Sequence, residues 1–134
     1  MVAYSFQKRF AYPILAGTKC QTIRDARKRH ARPGEALQLY TGMRTRQCSL
    51  IGTARCMDVQ PIVLDLAGGT YRILDMIFWD RPILDEFAQR DGFEDWTELR
   101  AFWESTYPGI TDFGGFVIRW QDFKPAGAAA SGGE

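Results

Sequence analysis

The chain has 134 residues, of which 46% are hydrophobic and 25% charged, and its formal net charge is +1. These values suit one soluble domain with one core, and no apolar run approaches the roughly 20 residues of a membrane helix or resembles a signal peptide. Three cysteines without Cys-x-x-Cys spacing and a single histidine argue against a disulfide framework and a zinc site, and favour free thiols in a reducing cytoplasm.

The small net charge conceals a strong asymmetry along the chain. Residues 1–57 contain eleven basic and two acidic residues, a net charge of +9, whereas residues 58–134 contain six basic and fourteen acidic residues, a net charge of −8. A basic half of this kind is typical of a face that binds a phosphate-bearing partner such as RNA. The alternative is that the two halves neutralise each other across the fold.

The first half of the chain is predicted to be rich in strands. A short helix is expected over residues 8–16, ended by Gly17. A charged loop over 27–32 closes at Pro33-Gly34, which is a strong turn signal. Alternating or continuous apolar residues predict four strands, at 3–7, 20–24, 36–41 and 48–63.

The second half is predicted to add two strands and a pair of helices. The strands are expected at 70–78 and 116–120, and the helices at 82–90 and 95–106, where Asp95 and Glu98 form a start like a capping box. Together these elements predict an α+β fold, a small mixed β-barrel with helices on its flank. Residues 1–124 are expected to form the single domain, and the Ala/Gly/Ser-rich residues 125–134 a disordered tail.

The most informative stretch for chemistry is residues 14–25. Lys19 and Thr22 lie three residues apart, followed by Arg24 and Asp25. A lysine becomes a general base when its surroundings lower its pKa, and a threonine hydroxyl becomes a nucleophile when a base is beside it. The plainer alternatives are a solvated lysine, an ordinary strand threonine and an Arg24–Asp25 ion pair. Cys20 is a rival nucleophile, with a role in core packing as its alternative.

The chain resembles the ASCH domain family, a branch of the PUA-like superfamily, over almost all of its length. The specific part is Gly-x-Lys-x-x-Thr-Ile-Arg-Asp, ending at Asp25. Further matching segments are Phe6 to Arg9, Pro33-Gly34-Glu35, Asp91-Gly92-Phe93, Tyr107-Pro108-Gly109 and Phe116-Val117-Ile118. The resemblance implies a PUA-like fold.

Within this family the chain is most similar to small bacterial members that hydrolyse N4-acetylcytidine to cytidine and acetate with a lysine, a threonine and a glutamate. The resemblance assigns Lys19 and Thr22 to the first two positions and Asp91 to the third, with Glu86 or Asp85 as the alternatives. It also suggests that Arg24, Asp25 and Glu86 bind the substrate. This chain carries extra residues between Asp65 and Pro82 compared with those members.

The resulting prediction is an amidohydrolase in which Thr22 attacks the acetyl carbonyl, Lys19 accepts the hydroxyl proton and Asp91 assists the leaving cytosine. Lys19 and Thr22 should line one pocket, within hydrogen-bond reach or bridged by one water. We expect no metal and no organic cofactor, a modified nucleoside as substrate, possible contact with RNA and no membrane partner. The alternatives are an RNA-binding module or single-strand ribonuclease and, less strongly supported, a toxin-like or regulatory partner protein. The oligomeric state is left open.

Overall fold

A computed structural model describes residues 1–127 of the chain; residues 128–134, most of the predicted tail, lie outside the described residues. The helices are a 3₁₀ turn at Lys8–Phe10, α1 (Ala11–Ala16), α2 (Arg81–Arg90) and α3 (Trp96–Thr106). The strands are β1 (Val2–Phe6), β2 (Gln21–Arg24), β3 (Ala36–Thr41), β4 (Ser49–Asp65), β5 (Thr70–Ile73), β6 (Met76–Phe78) and β7 (Asp112–Pro125). No helix among the described residues is both long and apolar enough to span a bilayer.

The seven strands of residues 1–127 belong to one mixed sheet built around the long strands β4 and β7. These two pair antiparallel; β3 pairs with β4, β1 lies parallel to β3, and β2 pairs antiparallel with β7. The hairpin of β5 and β6 extends the sheet beyond the second half of β4. The predicted α+β class is confirmed, and the predicted strands 36–41 and 116–120 share one sheet.

The sheet is not closed into a barrel by backbone hydrogen bonds. Within residues 1–127, β1 pairs only with β3 and β2 only with β7. The link between β1 and β2 is a side chain, because Arg24 Nη2 donates to the carbonyl oxygen of Ser5 at 2.6 Å. We call this opening in the sheet the β1–β2 gap.

Two predicted strands differ from the observed ones. The stretch 70–78 is a hairpin with a two-residue turn at Leu74-Asp75, which the pattern did not reveal because the turn lacks the usual Asn-Gly or Asp-Gly. β7 is longer than predicted at both ends, since it pairs with β4 from Asp112 to Pro125. Pro125 was assigned to the tail, but Ala126 N donates to Ile51 O at 2.9 Å and holds this end against β4.

Helices α2 and α3 form because capping and apolar spacing agree. α2 has proline in its first turn and buries three residues at helical spacing: Leu84, Phe87 and Ala88. α3 starts at Asp95, whose side chain accepts a hydrogen bond from Glu98 N at 2.9 Å. Its buried stripe is Trp96, Leu99 and Trp103. The two helices therefore cover the apolar face of the sheet.

Phe87 is the central core residue of α2, and truncating it should cost substantial stability. Its ring is fully buried and lies 4.0 Å from the Tyr71 ring centroid and 6.4 Å from that of Trp96. We expect Phe87→Ala to lower the free energy of unfolding by about 3–5 kcal/mol, measured by urea denaturation. Leu15→Ala, at an exposed position of α1, is the control and should change it by less than about 0.5 kcal/mol. Similar losses in both variants would contradict this picture of the core.

Candidate active site

The turn after α1 brings a lysine into the interior of the protein. Gly17 adopts a left-handed conformation with φ 84° and ends the helix, and its N–H donates to Ile14 O. Lys19 N then donates to Pro13 O at 3.0 Å, and Cys20 N to Arg90 O at 2.8 Å. These bonds hold the start of β2 against the end of α2, which carries Asp91.

Lys19 and Asp91 form a buried pair. The Nζ of Lys19 donates to the backbone oxygen of Asp91 at 2.5 Å and lies 3.6 Å from its Oδ1. The two side chains are 3% and 7% exposed. Nζ also lies 4.7 Å from the ring centroid of Phe10 and 5.5 Å from that of Phe6, so the ammonium group has aromatic rather than aqueous surroundings.

Burial shifts the pKa values of this pair in opposite directions. Burial lowers the pKa of Lys19, the charge of Asp91 opposes this, and the Arg24 guanidinium adds to it. Burial raises the pKa of Asp91, against the effect of the Lys19 charge. Because both shifts favour the neutral forms, the pair can present a free amine and a protonated carboxyl closer to neutral pH than isolated groups can.

The hydroxyl of Thr22 is hydrogen-bonded to Arg24, which lies on the same strand. Arg24 Nε donates to Thr22 Oγ1 at 2.9 Å, while its Nη2 is bound to Ser5 O and its guanidinium lies 4.8 Å from the Phe6 ring centroid. The hydroxyl oxygen therefore receives a charge-assisted hydrogen bond and keeps its own proton to donate. Such a contact stabilises an alkoxide at Oγ1. The partner of Thr22 in the structure is thus Arg24, not Lys19.

These four side chains border one cavity of about 210 Å³. Its other walls are mostly aromatic: Phe6, Phe10, Phe93, Phe102, Trp103 and Tyr107. A space of this size suits a small planar group, because sites for drug-sized ligands are about 300–1,000 Å³. Lys19 and Thr22 therefore line the same cavity, but no hydrogen bond joins them among residues 1–127, and Thr22 Oγ1 accepts from Arg24 instead.

Comparison with known proteins is informative at the level of the fold. No family model and no curated protein matches the chain. The solved structure of ASCH from Zymomonas mobilis has a TM-score of 0.56 at 14% identity, covering 92% of this chain and 68% of that one. The fold is ASCH-like. Tyrosine-to-phenylalanine and serine-to-alanine variants of that protein give TM-scores of 0.53 at 15% and 16% identity, each over 92% of this chain and over 70% and 68% of theirs.

The ASCH-like fold does not bring every candidate residue to the cavity. Asp25 is exposed and its Oδ1 accepts from Ala26 N at 2.7 Å. Glu86 is exposed on α2, and Asp85 accepts from Trp96 N and pairs with Arg81. None of these three acids lines the cavity. The reason is helical geometry: α2 buries positions 84, 87 and 88 and directs 85 and 86 outward, whereas Asp91 follows its last turn.

Gly92 makes room for the buried lysine. Its φ is +99°, a conformation that side chains rarely tolerate, and a Cβ here would lie 2.9 Å from Lys19 Cδ and 3.1 Å from Phe10 Cδ1. A glycine after Asp91 therefore lets the turn reverse and leaves space for the lysine side chain. The buried Lys19–Asp91 pair therefore depends on a glycine at position 92.

Sequence reasoning missed two kinds of site residue. Phe102 and Trp103 of α3 form a wall of the cavity, although their helical spacing in the sequence indicates only that they face inward. Gln21 is fully buried, and its amide lies against the Asp91 carboxyl and lowers the pKa of that group, although neither amide atom makes a well-aligned hydrogen bond. No local spacing signals either contact, because both depend on how α2 and α3 pack on β2.

The site contains no cluster of metal-ligating residues. Across residues 1–127, no group of three or more His, Cys, Asp or Glu side chains is arranged to hold a metal ion. The chemistry available in the cavity is that of an amine, a carboxyl, a hydroxyl and a guanidinium.

Proposed function

We propose that this protein belongs to the ASCH family and is an amidohydrolase that converts N4-acetylcytidine, and related N4-acylated cytosine nucleosides, to cytidine and the carboxylic acid. One observation carries the proposal: a buried Lys19–Asp91 pair shares a small aromatic cavity with the Thr22 hydroxyl. A binding module has no need of such a group of polar residues. The three cysteines are free thiols, which supports a reducing cytoplasm as the compartment.

The proposed reaction begins at Thr22. Its Oγ1 attacks the acetyl carbonyl carbon, and Lys19 Nζ accepts the hydroxyl proton directly or through one water. Arg24, which already donates to Oγ1, stabilises the negative charge on this oxygen before attack. The lowered pKa of Lys19 supports its role as the base.

The second half of the reaction needs an acid. When the C–N4 bond breaks, the exocyclic nitrogen of cytosine takes a proton, which the carboxyl of Asp91 supplies. The raised pKa of this group supports its being protonated when the substrate binds. Water then hydrolyses the acetyl ester of Thr22 and restores the hydroxyl. This scheme uses no metal and no organic cofactor.

The test is direct hydrolysis of N4-acetylcytidine by the purified chain. We expect cytidine and acetate in equal amounts, followed by chromatography and by the change in absorbance of the base. N6-acetyladenosine is the matched substrate control, because it carries the same exocyclic acetamide on a different base. If no cytidine forms from the nucleoside or from acetylated RNA, the proposal is wrong.

A second candidate, binding or cleavage of single-stranded RNA, is favoured by one observation at the cavity border. Arg24, which lines the cavity, and Arg27, which follows it in the exposed basic loop, both lie over the Tyr4 ring, at 5.4 and 4.5 Å from its centroid. Positively charged side chains thus extend from the cavity into the loop, where they can contact the phosphates of a nucleic acid backbone. Salt-dependent binding of a fluorescent single-stranded RNA, lost in Arg27→Gln, would support this candidate.

Replacing Asp91 tests whether this residue, rather than Asp85 or Glu86, is the acid. We expect Asp91→Asn to lower kcat by about 10²-fold with little change in KM, because the lost proton donor acts in the transition state. The rate should rise with pH as Lys19 loses its proton, at a pH below its ordinary pKa of 10.5, and fall again as Asp91 loses the proton that it donates. In Asp91→Asn this rise should move to lower pH, because Asp91 raises the pKa of Lys19.

Steady-state kinetics between about pH 5 and 10 measure both effects, because this range lies below the ordinary pKa of lysine, where the lowered pKa of Lys19 places its titration. Glu86→Gln and Asp85→Asn are the controls and should keep the kcat of the unmodified protein, since neither side chain reaches the cavity. If kcat is unchanged in Asp91→Asn and falls in either control, the acid is the residue of α2 that the control replaces.

A further inference from the structure

The hairpin of β5 and β6 carries a large exposed apolar surface. Five side chains between positions 74 and 83 are 40–72% exposed: Leu74, Met76, Ile77, Trp79 and Ile83. We call them the β6 patch. All but Ile83 lie on the turn of this hairpin, on β6 or directly after β6. None of them lines the proposed active site, so the hydrolase chemistry does not explain the patch.

The patch surrounds a free strand edge. β6 pairs only with β5 within the described residues. Ile73 and Met76 flank the two-residue turn and face each other, which in such hairpins is a hydrogen-bonded pair. Alternation then directs the N–H and C=O of Ile77 away from β5, toward solvent. An edge strand with outward backbone groups and apolar side chains is a template for another strand.

The turn of the hairpin also contains a residue that is unusual for a solvent-exposed turn. Leu74 has φ +57° and is largely exposed, although Asn or Gly is the ordinary choice at such a position. A bulky apolar side chain in this conformation costs stability and gains nothing from water. Strain of this kind is concentrated at functional sites.

We propose that β6 pairs antiparallel with β6 of a second copy of this chain, about a two-fold axis at Ile77. In this register Ile77 lies opposite the partner's Ile77, and Met76 lies opposite the partner's Phe78. The free backbone groups at the centre of the edge thus satisfy one another, as an isologous interface requires.

The exposed area of the patch agrees with one half of a small dimer interface. Five large side chains at this exposure present on the order of 600 Å², the upper end for a monomer and close to the roughly 800 Å² that each partner contributes to a standard interface. The edge strand, moreover, contains neither Lys nor Pro, the residues that commonly protect exposed edges.

Sedimentation and light scattering of the full chain test this proposal. We expect twice the mass of one chain for the unmodified protein and a monomer for Ile77→Lys. We expect a monomer also for Ile77→Pro, which removes an outward N–H and so leaves the pairing with β5 intact. Leu15→Lys, at an exposed apolar position of α1, should remain a dimer. A monomeric unmodified protein up to about 1 mM, or a dimer in both Ile77 variants, would overturn the proposal.

A cross-link tests the register independently of affinity. In a hydrogen-bonded antiparallel pair the Cα atoms are about 5.5 Å apart, within the range that a disulfide spans. We expect Ile77→Cys, combined with Cys48→Ser to remove the exposed thiol, to give a covalent dimer under mild oxidation. Leu15→Cys in the same background should stay monomeric on a non-reducing gel. Absence of the covalent dimer in Ile77→Cys would overturn the two-fold axis at this residue.

Discussion

Thr22→Val should abolish hydrolysis of N4-acetylcytidine, with a loss in kcat on the order of 10⁴-fold or more. Valine keeps the shape of the side chain but removes the oxygen that the proposed mechanism uses for attack. What remains is substrate binding and electrostatic stabilisation, which leave little of the rate when a nucleophile is lost. The protein should stay folded, but the Nε of Arg24 loses its acceptor. That loss should lower stability by about 1–3 kcal/mol.

Two further variants make the Thr22 result interpretable. Thr106→Val alters another threonine that lines the same cavity, whose hydroxyl is bound to Phe102 O, and should keep most of the activity. Thr22→Ser restores a hydroxyl and should recover part of the rate. Kinetics and thermal melting of all three separate chemistry from folding. Substantial hydrolysis by Thr22→Val would instead indicate direct attack by water, with Lys19 or Asp91 as the base.

Lys19→Met should lower kcat by an amount on the order of 10⁴-fold, because it removes the base while keeping the length of the buried side chain. It should also make stability more dependent on pH. The charge of Lys19 holds down the pKa of Asp91, which burial raises. Without the lysine, that pKa rises further above its unfolded value of 3.8.

The direction of the pH effect follows from proton binding. A carboxyl whose pKa is raised by folding binds more protons in the folded state, so stability is lost as pH rises through the folded pKa. We therefore expect the Tm of Lys19→Met to approach that of the unmodified protein in acid and to fall below it as pH rises. Lys8→Met, at an exposed position, is the control and should show neither the kinetic nor the pH effect. Equal pH profiles for both variants would contradict a coupled Lys19–Asp91 pair.

The sequence predicted the positions of elements that depend on local residue patterns. Strand alternation located β3, and the cap at Asp95 located the start of α3, because both depend on residues within a few positions. The spacing and resemblance that selected Lys19, Thr22 and Asp91 chose residues that lie around one cavity.

Contacts between distant elements could not be predicted in the same way. Asp25 and Glu86 were expected near the substrate, but their positions depend on which faces of β2 and α2 turn inward. The hydrogen bond from Arg24 to Ser5 depends on where β1 lies relative to β2. The Leu74-Asp75 turn was missed because its residues contradict the usual turn preferences.

The β1–β2 gap would link the proposed activity to local unfolding. Strands joined by a ladder share several backbone hydrogen bonds, whereas β1 and β2 are joined through the Arg24 guanidinium, which also holds Thr22 Oγ1. Opening this side of the sheet would therefore release the threonine hydroxyl while the paired strands β4 and β7 and the helices remain folded. Such partial openings cost less free energy than global unfolding. We therefore expect the Arg24–Thr22 contact to be lost under milder conditions than the fold itself.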